Sequence, residues 1–240
     1  MKNNAFEYVI RSIVKKISLK VDPEKFYEMF SSTYYELVRS GRLKEAFDWD
    51  LVAELTLKKF NRQYSKGLFS KLMLEGIEKG LVEAIDHATK VLEKIRRTEK
   101  KIIILTNGYR KYQKRVIEKL GLDPYVHVLI TNDDVPEPKP SKKAFETALA
   151  ISNIMDPSKV IFVGDHPFYD IYGALNSNIG AIVWLTRVYP AGNYTVMDLA
   201  EYIINYARDK YDIVLDLHNF RNRKIRVINS LKEMLELIKS

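Results

Sequence analysis

The sequence contains no cysteine, and this absence excludes disulfide bridges, thiolate zinc sites and a cysteine nucleophile. It also contains no run of eighteen apolar residues, so we expect no transmembrane helix. The first residues, MKNNAFEYVIRSIVKKI, have the pattern of an amphipathic helix and lack a signal-peptide cleavage site. We therefore predict a cytoplasmic protein without a membrane partner, whose chemistry depends on carboxylates, hydroxyls, lysines or histidines.

The histidines are too scattered to form a local metal motif; they are His87, His127, His166 and His218. The formal net charge of +8 is compatible with binding of nucleic acid or of small anions. Most basic residues, however, alternate with glutamates at helical spacing, as in EKIRRTEKK, which is typical of a solvated helix face. The densest basic run without acids, RNRK, lacks the interleaved aromatic residues of a single-strand binding surface. We therefore expect no nucleic-acid partner.

The apolar pattern divides the chain into two parts. Residues 4–97 have apolar residues at spacings of three and four, which predicts a series of helices. From residue 101, short apolar runs alternate with helical segments; these runs are KIIILTNG, HVLIT, KVIFVGD and AIVWL. The alternation predicts an α/β domain with a parallel sheet, whose ligands lie beyond the carboxyl ends of its strands. We predict a helical domain over residues 1–78 and an α/β domain over residues 79–240.

Polar residues follow three of these predicted strands, and their types suit a phosphate and metal site. The three groups are Thr106-Asn107-Gly108, Lys139, and Gly164-Asp165 with Asp170 five residues further on. A phosphate group needs hydroxyl and amide donors with a cation, and Mg2+ needs carboxylate oxygens. Each residue alone also suits an ordinary turn, surface or helix-cap position. Their order at successive strand ends favours the phosphate and metal site.

Three segments resemble a known family. LTNG, KPSKKAF and VGDHPFYDIYGA are similar to the second, third and fourth motifs of the haloacid dehalogenase superfamily, whose commonest members are Mg2+-dependent phosphatases. The resemblance is close over about residues 80–186, and VGDHPFYDIYGA is its most specific part. It implies a Rossmann-like core with a parallel sheet, and it implies that the preceding helices form an all-helical cap over the site.

The resemblance also implies a role for each residue that matches the motifs. Thr106 would bind the phosphoryl group, and Asn107 and Gly108 would frame it. Lys139 would neutralise the charge of the nucleophile and of the phosphate. The ligand would be a small phosphorylated metabolite.

The paired aspartates of the fourth motif indicate the cofactor. By resemblance, Asp165 would hold Mg2+ and Asp170 would support the metal shell. Dehalogenases of the family need no metal and lack this pair, so Asp165 and Asp170 favour phosphate chemistry over dehalogenation. Dehalogenation stays as a second alternative.

The first motif of the family, a strand ending in Asp-x-Asp, is absent from its usual place at the start. Asp48 and Asp50 have the spacing, but their surroundings predict a helix start. The segment YDIVLDLHNF, residues 211–220, resembles the motif with one apolar residue fewer. It places Asp216 as the nucleophile and a metal ligand, and His218 as the general acid/base.

This assignment requires a circular permutation, in which a strand from the C-terminal part lies at the centre of the sheet. Two alternatives stay open: residues 212–228 form an added edge hairpin with Asp216 as a surface acid, or the first strand precedes residue 1. The predicted function is hydrolysis of a small phosphorylated metabolite through an aspartyl-phosphate intermediate. A catalytically impaired relative that binds a ligand or a partner is the first alternative.

Overall fold

The computed structural model describes residues 2–84 and 87–238. Helices contribute most of the regular structure in these residues. They are α1 (Ala5–Lys16), α2 (Pro23–Arg39), α3 (Leu43–Ala46), α4 (Trp49–Lys59), α5 (Leu68–Glu78), α6 (Ala88–Arg96), α7 (Arg110–Lys119), α8 (Lys142–Ile151), α9 (Gly173–Asn176), α10 (Val196–Tyr211) and α11 (Met234–Leu237). No helix in the described ranges is both long enough and apolar enough to cross a membrane.

The first five helices, α1–α5, are here called the N-terminal helices, and aromatic rings form much of their shared core. The ring of Phe6 in α1 lies 5.6 Å from that of Phe30 in α2, between ring centroids. It also lies 5.8 Å from the Trp49 ring and 5.5 Å from the Phe69 ring. Asp48 caps α4 by accepting hydrogen bonds from the amides of residues 50 and 51. The sequence prediction that this Asp-x-Asp segment begins a helix is therefore confirmed.

The described strands form a parallel core, and they also form two antiparallel pairs, β1 with β2 and β7 with β8. They are β1 (Lys2–Asn3), β2 (Val82–Glu83), β3 (Ile103–Leu105), β4 (Val128–Ile130), β5 (Ile161–Gly164), β6 (Ala181–Leu185), β7 (Gly192–Thr195) and β8 (Lys224–Ile228). β3 pairs with β4 in parallel, and the larger sheet has the order β5-β6-β8-β7, in which β5, β6 and β8 are parallel. The predicted parallel α/β architecture is confirmed.

Burial differs between the middle and the ends of these sheets. The central residues of β6, Ile182 to Trp184, are buried, as expected for a strand with a partner on each side. Every residue of β3 and of β5 is only half-buried. In the described part of the chain, β3 pairs with β4 alone and β5 with β6 alone. Each of these two strands therefore has one unpaired edge.

The structure corrects the prediction of a strand near the C-terminus. Residues 212–217 form neither helix nor strand, and Asp212 leaves α10 with a left-handed φ of 58°. Leu215 and Leu217 are buried, whereas Val214 is 86% exposed. The alternating apolar pattern therefore packs one side of an extended segment into the core without forming a ladder. The edge-hairpin alternative is wrong as well, because β8 lies between β6 and β7.

The N-terminal helices contact the α/β part at several separate points. The hydroxyls of Tyr34 and Tyr169 lie 2.7 Å apart. The Lys44 ammonium donates a hydrogen bond of 2.8 Å to the carbonyl of residue 135. Lys111 in α7 forms an ion pair of 2.9 Å with the largely buried Asp50 carboxylate. These contacts place α2, α3 and α4 beside the carboxyl ends of the strands, while the predicted domain boundary at residue 78 stays a prediction.

Candidate functional site

The loop that the sequence predicts to bind phosphate begins directly after β3. The Thr106 amide donates to the carbonyl of Ile130 at 3.0 Å, which extends the pairing with β4 by one residue. The Thr106 hydroxyl accepts a hydrogen bond of 3.1 Å from the amide of Gly108. The loop then turns into α7, which starts at Arg110. The Thr106 hydroxyl and the residues that follow it thus lie at the carboxyl end of β3, and their binding of phosphate stays a prediction.

Asn107 joins this loop to the segment that carries Lys139. Its side-chain amide donates to the Lys139 carbonyl at 2.9 Å, and its side-chain oxygen accepts from the Lys139 amide at 2.8 Å. Both residues are buried, so the paired hydrogen bonds satisfy groups that water does not reach. Asn107 therefore fixes the position of the lysine backbone, 32 residues away in sequence.

Lys139 and Asp170 form a buried ion pair at the centre of the cluster. The distance from the ammonium to the carboxylate is 2.5 Å, and the two side chains are 11% and 8% exposed. Burial alone would raise the pKa of Asp170, but the charge and the hydrogen bond of Lys139 outweigh it, and the pKa lies below its usual value. Asp170 is therefore ionised at neutral pH.

The second carboxylate oxygen of Asp170 binds the backbone of Asp165, the other aspartate of the predicted metal site. It accepts hydrogen bonds from the amides of Asp165, at 3.1 Å, and of His166, at 3.0 Å. The Asp165 side chain is not part of these hydrogen bonds, and the residue is exposed. Neighbouring residues still shield part of its carboxyl from water, and this partial burial, together with the nearby negative charge of Asp170, raises the pKa of Asp165. A bound cation would relieve this unfavourable negative potential.

Because Gly164 has no side chain, the side chain of Asp170 can occupy the space beside it. A methyl group at Gly164 would lie 2.4 Å from Cβ and 2.6 Å from Cγ of Asp170. We expect Gly164→Ala to lower the free energy of unfolding in urea by about 1–3 kcal/mol, because the carboxylate must shift. The control is Gly192→Ala in β7, where the nearest atom, in the ring of Tyr194, is 3.4 Å away. There we expect a change of about 0.5 kcal/mol, and equal losses would contradict this explanation.

The residues present fit a magnesium ion held in part by the protein. Mg2+ commonly uses one or two carboxylates, with phosphate oxygens and water completing its shell. Asp165 offers an exposed carboxylate, whereas both oxygens of Asp170 already have partners, so Asp170 would act by positioning Asp165. No group of three or more His, Asp or Glu side chains suited to a metal occurs within residues 2–84 and 87–238.

His166 is a residue of this cluster to which the sequence assigned no role. Its ring Nδ1 accepts hydrogen bonds from the amides of Phe168 at 3.2 Å and Tyr169 at 3.0 Å. Burial lowers the pKa of His166 to about 4, so the ring is neutral at pH 7. The only sequence signal was its place between the two aspartates, because Tyr211, the partner of its other ring nitrogen, is 45 residues away.

Asp216 and His218 do not join the cluster in the way that the sequence predicted. Asp216 is exposed and accepts a hydrogen bond of 2.9 Å from the amide of His218, which begins a short 3-10 helix. His218 is exposed as well. Both precede β8, which is separated from β5 by β6. The prediction that residues 212–217 form a strand is wrong, whereas the predicted roles of Asp216 and His218 stay predictions.

Comparison with known proteins gives the family. A family model described as "Haloacid dehalogenase-like hydrolase" matches residues 3–184. The chain is 29% identical over 177 residues to glyceraldehyde 3-phosphate phosphatase of Pyrococcus abyssi, covering 73% of this chain and 68% of that protein. It is 37% identical over 107 residues to pyrimidine 5'-nucleotidase YjjG of Escherichia coli, covering 42% and 47%. The match thus spans about half the length of the E. coli protein.

Solved structures agree in fold. The magnesium-bound HAD-hydrolase YfnB of Bacillus subtilis superposes with a TM-score of 0.66 at 15% identity, covering 98% of this chain and 92% of that one. A HAD phosphatase of Thermococcus onnurineus gives a TM-score of 0.61 at 22% identity, covering 97% and 87%. At such low identity these superpositions show the fold alone, and that fold confirms the predicted Rossmann-like α/β class. With a family match over most of its length, the chain belongs to the haloacid dehalogenase-like hydrolases.

Proposed function

We propose that this protein is a Mg2+-dependent phosphohydrolase that acts on a small phosphorylated metabolite. One observation carries the proposal: the buried Lys139–Asp170 pair connects the loop after β3 with the end of β5. Asn107 binds the backbone of Lys139 on one side, and Asp170 binds the Asp165 amide on the other. Donors, a cation and an exposed carboxylate are thereby held together, as phosphoryl binding requires.

In the proposed site, Thr106 and the amides that follow it donate hydrogen bonds to the phosphoryl oxygens, and Asn107 and Gly108 frame them. Lys139 supplies a fixed positive charge, because Asp170 and the hydrogen bonds from Asn107 hold it in place. Asp165 would hold Mg2+, with Asp170 behind it. When bound, Mg2+ neutralises charge on the phosphoryl oxygens.

The proposed reaction proceeds through an aspartyl-phosphate. A carboxylate oxygen attacks phosphorus, the bond from phosphorus to the leaving oxygen breaks, and that oxygen takes a proton. Water then attacks the acyl phosphate, the bond between phosphorus and the carboxylate oxygen breaks, and inorganic phosphate leaves with the carboxylate regenerated. The sequence assigned attack to Asp216 and proton transfer to His218, but both are exposed in the segment before β8. We therefore propose the covalent reaction without assigning Asp216 or His218 to it.

The proposed substrate class follows from the relatives and from the N-terminal helices. Pyrimidine 5'-nucleotidase and glyceraldehyde 3-phosphate phosphatase are both named for small phosphorylated compounds. The N-terminal helices contact the loops after β4 and β5 through Lys44 and Tyr34. A helical cap at this place limits the size of the ligand that enters. A cytoplasmic location without a nucleic-acid partner stays part of the proposal.

A second candidate function is that of a catalytically impaired relative, which keeps the phosphate and metal residues for ligand binding. The exposed position of Asp216 favours it. In the described residues, this predicted nucleophile accepts a hydrogen bond from the amide of His218 and makes none with Lys139, Asp165 or Asp170. Dehalogenation is the weaker alternative, because Asp170 binds the Asp165 amide and leaves the exposed Asp165 carboxylate available to a metal that dehalogenation does not need.

Hydrolysis of an aryl phosphate with and without Mg2+ tests the proposal. We expect hydrolysis that depends on Mg2+ and that inorganic phosphate inhibits. Calorimetric titration with Mg2+ and with phosphate runs in parallel on the same preparation. Binding of both without hydrolysis would support the impaired relative, and binding of neither would contradict both functions.

A further inference from the structure

A short π-helical turn, Pro167–Tyr172, directly follows the end of β5 and carries Asp170. The carbonyl of His166 accepts hydrogen bonds from the amides of Asp170, at 3.0 Å, and of Ile171, at 3.1 Å. The turn therefore includes one residue more than an α-helical turn, as in the π-bulges that often occur at functional sites. From this turn the Asp170 carboxylate accepts hydrogen bonds from the amides of residues 165 and 166.

The ring of His166 holds the start of this turn. Its Nδ1 accepts from two backbone amides, those of Phe168 and Tyr169, so this nitrogen carries no proton. A ring proton is therefore on Nε2, which lies 3.0 Å from the hydroxyl of Tyr211. Nε2 donates to that hydroxyl, and His166 thus links the turn to the last residue of α10.

Ring contacts hold the same turn from other sides. The rings of His166 and Tyr169 stack with centroids 4.3 Å apart. The hydroxyl of Tyr169 in turn contacts that of Tyr34 in α2, at 2.7 Å. Phe47, next to α3, packs edge-on against Tyr169 at 5.4 Å. The orientation of the turn therefore depends on α10 and on the N-terminal helices as well as on β5.

We propose that His166 is a positioning residue of the metal site: through Tyr211 and the π-helical turn it sets where the Asp165 carboxylate points. The inference rests on the proposed function, because it assumes that Asp165 holds Mg2+. His166 itself needs no contact with the metal or the substrate. Residues that orient metal ligands contribute to affinity in this way, and replacing them costs about 10–100-fold in binding.

Magnesium titration of the whole protein by calorimetry tests this role, with binding as the readout. His166→Leu removes both the ring acceptor and the donor to Tyr211, and we expect the Kd for Mg2+ to rise about tenfold or more. His166→Asn keeps an acceptor of the type found at helix N-caps, so we expect it to recover most of the affinity. Tyr211→Phe removes one hydroxyl, and we expect a rise of about threefold, below the full range of such effects.

The matched control is His127→Leu. The Nδ1 of His127 also accepts a hydrogen bond from a backbone amide, that of Ile102 at 2.9 Å, but it lies beside β3 and β4 and away from the turn. We expect the Kd of this variant to equal that of the wild type. Near-UV and far-UV circular dichroism confirm that each variant is folded at the titration temperature.

The outcomes separate this inference from the proposed function. A wild type that does not bind Mg2+ contradicts both. A wild type that binds, with folded His166→Leu and Tyr211→Phe variants of unchanged Kd, contradicts the inference alone. If His166→Leu does not fold, His166→Asn and Tyr211→Phe decide: weaker binding in Tyr211→Phe supports the inference, and unchanged binding overturns it.

Discussion

Replacing Lys139 by methionine is expected to lower the free energy of unfolding by about 3–5 kcal/mol, since it leaves the charge of a buried carboxylate uncompensated. The side chain of Asp170 is 8% exposed and loses the ammonium that lies 2.5 Å away. Methionine keeps most of the length and volume of lysine, so the loss reports the charge and its hydrogen bond. Urea unfolding at pH 7 measures the effect.

Lys143→Met is the matched control. Lys143 also pairs with a carboxylate, Glu137 at 2.6 Å, but these side chains are 60% and 49% exposed. Water solvates the remaining carboxylate after the substitution, so we expect a much smaller loss than in Lys139→Met. Equal losses in the two variants would show that burial of the Lys139–Asp170 pair has no energetic consequence.

The loss of unfolding free energy in Lys139→Met should also depend on pH. In the wild type, the pKa of Asp170 lies below the usual value, so its stabilising contribution is present above about pH 4 and is lost as the pH falls through the folded pKa. Without Lys139, burial raises the pKa of this carboxyl, and protonation relieves the buried charge. We therefore expect a smaller difference between wild type and variant at pH 4 than at pH 7.

The second large effect is expected for Asp165→Asn, which should reduce Mg2+-dependent hydrolysis of an aryl phosphate by about 100-fold or more. The amide carries no charge, so the variant loses the proposed metal carboxylate and with it several kcal/mol of stabilisation of the transferring oxygens. Asp165 is exposed and its side chain is not part of the ion pair of Lys139. We therefore expect little change in the free energy of unfolding.

Asp216→Asn provides the comparison, and it tests the predicted nucleophile. Because Asp216 is exposed and binds the amide of His218 within its own turn, we expect a rate within about twofold of wild type. Loss of activity in Asp216→Asn as well as in Asp165→Asn would instead restore Asp216 as the nucleophile.

The sequence predicted those parts of the fold that depend on local pattern. The strands β3, β4, β5 and β6 all lie within the predicted apolar runs, because short buried strands in a parallel sheet are apolar almost throughout. β7, with the sequence GNYT, lies outside these runs, because glycine and asparagine are rare in strands. Its pairing with β8 comes from tertiary structure.

The error at residues 212–217 has a different cause. An alternating pattern shows that one side of an extended segment is buried, but it does not show whether the backbone pairs with another strand. Here Leu215 and Leu217 are buried, and no strand forms. The role of His166 was equally hidden, because Tyr211 is 45 residues away and Tyr34 contacts Tyr169 across 135 residues. Sequence spacing alone gives no sign of such contacts.

The unpaired edges of β3 and β5 have a consequence for local unfolding. Successive amides of a strand point to opposite sides, so a strand with one partner leaves about half of its amides outside the ladder. β6 has partners on both sides, whereas β3 and β5 each have one in the described ranges. Amide hydrogens should therefore exchange with solvent sooner in β3 and β5 than in β6. Thr106 and Asp165 would thus follow strands that open more readily than β6.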